Sequence, residues 1–217
     1  MKNVLITGAS GMIGDLILQY CLDSQEISKI TSLVRKKRSE QHDKLNELVI
    51  TDFLDYSNHE NAFENIDVVY FCIGVYTGAV PDEQFKEITV DFTIAFTKML
   101  KKHSPKANLI FLSGAGADRK EKSRISFAKY KGMAENYLFA NLDNISTFRP
   151  GYIYPVSKRY EPNFSYRLYR TLYPLIKLMG PSASIKSTDL AKAMFRVGIK
   201  VSGHNTVENR DAFSYLK

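Results

Sequence analysis

Thr7-Gly8-Ala9-Ser10-Gly11-Met12-Ile13-Gly14 is the stretch of sequence that decides the fold. It follows an apolar run and opens an amphipathic pattern that continues to residue 22. The first glycine permits a tight turn, the second lets a phosphate approach the backbone, and the third lets a helix pack closely on a strand. The helix N-terminus adds unpaired N–H groups and partial positive charge. The stretch therefore predicts a dinucleotide phosphate loop contacted through Thr7, Gly8, Ser10, Gly11, Met12, Ile13 and Gly14, with a purely structural strand–turn–helix as the alternative.

Apolar runs and helical patterns alternate along the rest of the chain. The runs predict strands at 4–7, 29–34, 47–50, 68–73, 108–112 and 146–148, and the patterns predict helices at 12–22, 58–63, 82–101 and 127–140. Strands covered by helices on both faces have this nearly continuous apolar character. The fold class expected is α/β, a Rossmann-type doubly wound parallel sheet. The 217 residues predict a single domain, 1–217, in which 151–217 form a small pocket-completing segment.

The pattern loosens after Pro150. Residues 154–164 are expected to form a loop, and the aromatic-rich stretch 164–179 should be broken by Pro174. That stretch is interpreted as pocket wall and core, in preference to a dimer face or a helix lying on a membrane surface. Ser187-Thr188-Asp189 predicts a helix start.

Composition and charge argue against several classes of protein: nucleic-acid-binding, membrane-spanning and metal-binding. The net charge of +7 would suit a phosphate-bearing partner, but no basic face with stacking aromatics or DNA-reading motif accompanies it, so no nucleic-acid partner is expected. No apolar run reaches the roughly 18 residues of a membrane span. Met1 leads directly into the folded motif without a cleavable leader, which predicts a cytoplasmic protein. The four histidines are scattered and the two cysteines lie among apolar neighbours, so no metal and no disulfide are expected.

Arg35 directly follows the second predicted strand, at the position that selects the dinucleotide. NAD-specific folds place an acid roughly 20 residues beyond the loop for the ribose hydroxyl, whereas an arginine accommodates a 2′-phosphate. Arg35, with Lys36 and the further basic residues Lys37 and Arg38, predicts NADP(H). The alternative is a solvated basic loop.

Five segments together resemble the extended and atypical short-chain dehydrogenase/reductases, in particular their NAD(P)H-binding, epimerase-like branch. They are residues 7–14, Ser-Leu-Val-Arg at 32–35, Leu-Ser-Gly-Ala-Gly-Ala at 112–117, Lys131-Gly132-x-x-Glu135, and Arg-Pro-Gly-Tyr-Ile-Tyr at 149–154. They follow the family's order over nearly the whole chain. No one of them identifies a substrate.

The resemblance implies a catalytic Ser113, and a Lys131 that binds the nicotinamide ribose and lowers the pKa of a tyrosine four residues earlier. That position holds Phe127, which has no exchangeable proton. The proton could come from Tyr130, Tyr76 or Tyr152, or from water or a backbone donor. The remaining alternative is that the domain binds NADP(H) without catalysing a reaction. By the same resemblance, Asp52 and Phe53 border the adenine, Gly74 lies against the cofactor, and Pro150 and Tyr152 border the nicotinamide.

The function expected is an NADP(H)-dependent oxidoreductase acting on a small carbonyl or alcohol substrate. A non-catalytic or regulatory NADP(H)-binding protein is the first alternative, and an epimerase-like or dehydratase-like enzyme the second. The sequence leaves monomer and homodimer open.

Overall fold

A parallel sheet of seven strands lies at the centre of the molecule, in the order β3-β2-β1-β4-β5-β6-β9. The computed structural model describes residues 1–157, 171–200 and 202–217. The strands are β1 (Lys2–Thr7), β2 (Ile27–Val34), β3 (Leu45–Val49), β4 (Val68–Phe71), β5 (Asn108–Leu112), β6 (Ile145–Arg149) and β9 (His204–Glu208). Each neighbouring pair is parallel. The predicted α/β class and doubly wound sheet are confirmed.

Helices cover both faces of the sheet. They are α1 (Met12–Asp23), α2 (Asp82–Lys86), α3 (Phe92–His103), α4 (Ser126–Asn141), α5 (Tyr173–Leu178), α6 (Ser187–Lys200) and α7 (Asn209–Ala212). Residues Ser57–Phe63 and Phe213–Leu216 form 3₁₀ turns. One apolar cluster, with Ile17 and Met194, lies under α1 and α6. A second, rich in phenylalanine and including Phe96 and Phe111, lies under α3 and α4 on the opposite face.

The stretch predicted as one helix over 82–101 is interrupted by a π turn at Glu87–Asp91 between α2 and α3. Lys86 Nζ contacts Asp91 Oδ2 at 3.2 Å across this turn. An i, i+5 pair matches the wider π spacing better than the α spacing, which brings i, i+4 residues together.

Three strands were not predicted from the sequence. β7 (Tyr152–Tyr154) and β8 (Ser184–Lys186) form a separate two-stranded parallel sheet, and β9 forms the sheet edge beside β6. Strands of three residues are too short to show a period of two, and β9 has one buried residue, Val207.

The C-terminal predictions are met in part. A helix begins at Ser187 as expected. Pro174 lies in the first turn of α5, where the missing N–H costs no helical hydrogen bond. Residues 158–164 of the expected loop and 164–170 of the aromatic-rich stretch lie outside the described residues. Among the helices that the structure describes, none has the length and apolar character of a membrane span.

Candidate functional site

The strand order places a crevice at the carboxyl ends of β1 and β4. The chain runs from β1 outward through β2 to β3, and then returns to β4 on the other side of β1. Loops leaving β1 and β4 therefore turn in opposite directions, and open α/β sheets bind ligands in the resulting gap. The glycine-rich stretch follows β1 directly and lies at this gap.

Glycine is required in the loop because the backbone is packed against itself. Gly8 has φ +72°, and a Cβ there would lie 2.6 Å from the carbonyl carbon of Cys72. A Cβ on Gly14 would lie 2.2 Å from the Gly8 carbonyl oxygen. The Gly11 N–H donates to that same oxygen at 2.9 Å. Among the described residues, no side chain caps the start of α1, so its first N–H groups can donate to an anionic ligand.

Three adjoining cavities run along this edge of the sheet. The first, the Arg35 cavity, has a volume of about 290 Å³ and includes Arg35, Phe53, Gly74 and the glycine loop in its wall. The second, the loop cavity, measures about 260 Å³ and shares Ser10 and Gly11 with the first. The third, the Ser113 cavity, measures about 220 Å³, and shares Met12 with the second and Val75 with the first.

Several predicted cofactor residues lie away from the cavity walls. Thr7 and Ile13 are buried, and Thr7 Oγ1 has no hydrogen-bond partner among the described residues. Lys36 is exposed and lines none of the three cavities. Asp52 is also outside them, and its carboxylate accepts the Leu54 N–H at 2.8 Å in a local turn.

Arg38 holds the glycine loop, a role that the sequence analysis missed. Its Nη2 donates to the Ala9 carbonyl oxygen at 3.2 Å, and its Nε donates to Glu47 Oε1 at 3.0 Å. The Arg38 N–H also donates to Glu47 Oε2 at 2.8 Å. Because the Glu47 side chain is buried on β3, Arg38 links that strand to the loop, and Arg35 is the basic side chain that lines the cavity.

Predicted active-site residues gather at the Ser113 cavity. Ser113, Tyr76, Tyr152, Pro150 and Phe127 all lie in its wall, together with apolar residues such as Ile153. The Phe127 ring packs directly on Gly114, since a Cβ there would lie 2.3 Å from Phe127 Cζ. The position that the family gives to a tyrosine therefore faces this cavity without a hydroxyl.

Lys131 and Tyr130 do not line the Ser113 cavity. The Lys131 side chain is buried and its Nζ donates to the Leu112 carbonyl oxygen at 2.9 Å. Burial lowers the pKa of Lys131 to about 8, although the negative charge of Glu135 acts to raise it. Tyr130 donates its hydroxyl proton to Asp82 Oδ2 at 2.6 Å, which raises the pKa of that phenol.

Ser113 donates to a buried carboxylate. Its Oγ lies 2.6 Å from Glu135 Oε1, and Glu135 is completely buried. Arg119 Nε contacts Glu135 Oε2 at 2.7 Å, Arg149 Nε contacts Oε1 at 2.9 Å, and Arg149 Nη2 also contacts Oε2. Burial acts to raise the pKa of Glu135, but the hydrogen bonds from Arg149, Ser113 and Arg119 outweigh it and lower the pKa.

Sequence motifs point to only part of this cluster. Glu135 and Arg149 lie within two of the family-like segments, but neither was assigned a role. Arg119 lies in no recognisable motif. Its position beside Glu135 follows from the turn after β5, which packs on α4 through the Asp118 N–H and the Ala128 carbonyl oxygen at 2.8 Å.

Comparisons with known proteins agree with this architecture. Rat HTATIP2 is 29% identical to the chain over 154 residues, which make up 69% of this chain and 62% of the rat protein, less than two thirds of its length. A putative NAD-dependent epimerase/dehydratase from Bacillus halodurans superposes with a TM-score of 0.67 at 18% identity, covering 99% of each chain. MoeE5 in complex with UDP-glucose and NAD gives a TM-score of 0.70 at 15% identity, over 94% of this chain and 75% of that one.

The two structural matches have low identity and show the fold alone. The sequence match to a family is more specific, because the model of the NAD dependent epimerase/dehydratase family matches residues 4–136. This range includes the glycine loop, Arg35, Ser113, Lys131 and Glu135. It covers more than half of the chain. The chain therefore belongs to the NAD dependent epimerase/dehydratase family.

Proposed function

We propose that the protein is an NADP(H)-dependent oxidoreductase of the atypical short-chain dehydrogenase/reductase type, acting on a small alcohol or carbonyl substrate. The observation that carries the proposal is the row of three adjoining cavities from Arg35, across the glycine loop, to Ser113. A dinucleotide needs a site for each nucleoside and a phosphate loop between them. Bound NADP(H) would supply or accept the hydride.

The chain's own residues fit each part of the dinucleotide. The loop glycines keep the backbone open to a pyrophosphate, and the uncapped start of α1 offers N–H groups to it. Arg35 is exposed in the wall of the first cavity and would pair with a 2′-phosphate. Phe53 and Gly74 lie in the same wall, where the adenosine end would bind.

The Ser113 cavity favours a small and largely apolar substrate. Its wall is formed mainly by apolar groups, and its volume of about 220 Å³ would also have to admit the nicotinamide end of the dinucleotide, which leaves room for a small substrate rather than a sugar nucleotide. Residues 151–155 contribute Gly151, Tyr152, Ile153 and Pro155 to this wall, which supports the view that the C-terminal segment completes the pocket. Tyr76 and Tyr152 lie in this wall and carry phenols, whereas Phe127 has none.

Phe127 also favours a second candidate, an NADP(H)-binding protein without turnover. The Phe127 ring occupies the position of the family's proton donor. Lys131 donates a hydrogen bond to the Leu112 carbonyl oxygen, and Ser113 donates one to Glu135. A regulatory binding domain could retain the cofactor cleft with this arrangement. The two candidates differ in turnover and not in cofactor affinity.

Calorimetric titration with NADPH and NADH tests the cofactor assignment. We expect NADPH to bind at least about tenfold more tightly than NADH, and Arg35→Asp to remove this preference by weakening NADPH alone. Lys36→Asp is the matched control, because Lys36 is exposed beside Arg35 but lines none of the cavities. Absence of binding, or equal losses for both dinucleotides, would overturn the assignment. A screen of carbonyl compounds then distinguishes the two candidates, because an enzyme would consume NADPH and lower its absorbance, whereas a binding protein without turnover would not.

A further inference from the structure

The hydroxyl of Ser113 has one proton, which it donates to the carboxylate of Glu135. We propose that Glu135 is a positioning residue that holds this proton, so that Ser113 presents an acceptor to the cavity and the site binds an alcohol in preference to the matching carbonyl compound. The inference rests on the proposed function in one respect, namely that the Ser113 cavity receives the substrate.

The bond between Ser113 and Glu135 is short and charge-assisted. The Oγ to Oε1 distance is 2.6 Å, and hydrogen bonds to an ionised carboxylate are roughly twice as strong as those between neutral groups. To donate to a substrate carbonyl, the serine would have to give up this bond and leave a buried carboxylate oxygen with one donor fewer. The lone pairs of Oγ can accept a proton from a substrate without that loss.

Two arginines hold the carboxylate in place. Glu135 Oε1 accepts hydrogen bonds from Ser113 Oγ and Arg149 Nε, whereas Oε2 accepts them from Arg119 Nε and Arg149 Nη2. Each oxygen therefore has two donors from different directions, and rotation of the carboxylate would break contacts to both guanidinium groups. The lowered pKa of Glu135 agrees with a charged carboxylate at neutral pH. Glu135 is thus fixed as an acceptor for Ser113.

This arrangement favours a substrate that carries its own proton. An alcohol bound beside Ser113 can donate its hydroxyl proton to Oγ, while a carbonyl oxygen at the same place meets a lone pair. Phe127 offers a carbonyl no donor, and the Lys131 ammonium group donates to the Leu112 carbonyl oxygen. Tyr76 and Tyr152 also carry phenols in the wall, and these groups are present for both the alcohol and the ketone. The difference in affinity between the two compounds should therefore depend on Ser113 and Glu135.

A titration of 1-phenylethanol and acetophenone, followed by ligand-observed NMR without any dinucleotide, tests the proposal. The two compounds differ only at the alcohol and carbonyl group, and neither can react in the absence of a cofactor. We expect the wild type to bind the alcohol about tenfold more tightly, the effect of one hydrogen bond. Ser113→Ala should remove the preference by weakening the alcohol alone. Equal wild-type affinities, or an equal loss for the ketone in Ser113→Ala, would overturn the proposal.

Glu135→Asp separates the role of Glu135 from that of the serine. Aspartate keeps a negative charge for the arginines but is one methylene too short to hold the Ser113 proton, so the preference should fall below about threefold. Glu208→Gln is the matched control, because Glu208 contacts Arg149 Nη1 at 3.1 Å and does not touch Ser113. A retained preference in Glu135→Asp would overturn the role of Glu135. If that variant does not fold, Ser113→Ala still decides the acceptor role. Since no dinucleotide is present, these results are independent of the NADPH titration.

Discussion

At the scale of single residues, Phe127 determines what the cavity can do. It lies on α4, one turn before Lys131, and its ring packs on Gly114 in the wall of the Ser113 cavity. A tyrosine would have the same ring and would add a hydroxyl at Cζ, the ring atom closest to the added-Cβ position of Gly114. The tyrosine hydroxyl would therefore bring a proton donor and would also need space beside Gly114.

Phe127→Tyr should raise turnover if the rest of the site is intact. General acid–base catalysis contributes roughly 10²–10⁴-fold, so we expect an increase of about a hundredfold in NADPH-dependent reduction of a competent carbonyl. Phe127→Leu is the control, because it alters the ring without adding a proton donor. The measurement is the initial rate of NADPH consumption. Equal rates in the tyrosine and leucine variants would mean that this position does not supply the proton.

Single residues also show how far sequence reasoning reaches. The spacing of Gly8, Gly11 and Gly14 after an apolar strand predicts a tight glycine loop, and backbone contacts account for glycine at each position. Phosphate binding by this loop stays a prediction. Lys131 and Tyr130 were harder to place, because the direction of a helical side chain depends on its tertiary neighbours. The partners that direct them, the Leu112 carbonyl oxygen and Asp82, lie 19 and 48 residues away in the chain.

At the scale of secondary-structure elements, Glu135 joins α4 to two strands. Ser113 follows β5 and Arg149 ends β6, and both contact the carboxylate. Arg149 also reaches Glu208 at the end of β9. The cluster thus fixes the carboxyl ends of three neighbouring strands relative to the helix that carries Phe127.

Glu135→Gln should reduce stability strongly. Removing one partner of a buried ion pair leaves the other charges uncompensated, which costs about 3–5 kcal/mol. Glu208→Gln removes an exposed partner from the same cluster and should cost less than about 1 kcal/mol. The free energies of unfolding are measured by urea denaturation. A loss for Glu135→Gln no larger than that for Glu208→Gln would show that the buried cluster does not stabilise the fold.

The same comparison has a defined pH dependence. The pKa of Glu135 is lowered in the folded state, so its carboxylate contributes stability that is present in full above the unfolded pKa of about 4.3. This contribution is lost as the pH falls through the folded-state pKa, because the unfolded state then binds the proton first. The difference between wild type and Glu135→Gln should therefore be constant near neutral pH and shrink in acid.

Among the elements, the long buried strands were predicted well and the short ones were not. β5 was predicted at its observed bounds because five consecutive residues, four of them apolar, mark it clearly. The strands β7 and β8 pair with each other although 29 residues of chain separate them, and neither has a pattern of its own. Their pairing is a tertiary effect, and it brings Tyr152 and Ile153 to the Ser113 cavity.

At the scale of the whole molecule, the sheet topology assembles the site. The loops after β1, β2, β3, β4, β5 and β6 all contribute residues to the walls of the three cavities, although these loops are far apart in sequence. The parallel order brings all of these carboxyl ends to one edge. Recognising the alternation of strands and helices was therefore enough to predict that distant motifs meet, although the packing within the Ser113–Glu135 cluster required the structure.

A dinucleotide that spans all three cavities should protect the molecule at several separate segments. We expect saturating NADPH to slow backbone hydrogen exchange at residues 8–12, 72–77, 113–114 and 150–153, which line the cavities. Residues 64–67 and 142–144 precede β4 and β6 at the opposite edge of the sheet and serve as the internal control. Binding at a hundredfold excess over the Kd stabilises a protein by about 2.7 kcal/mol, so thermal unfolding should shift in parallel. Protection limited to residues 8–12 would indicate that only a phosphate binds at the loop, and it would contradict a dinucleotide extending from Arg35 to Ser113.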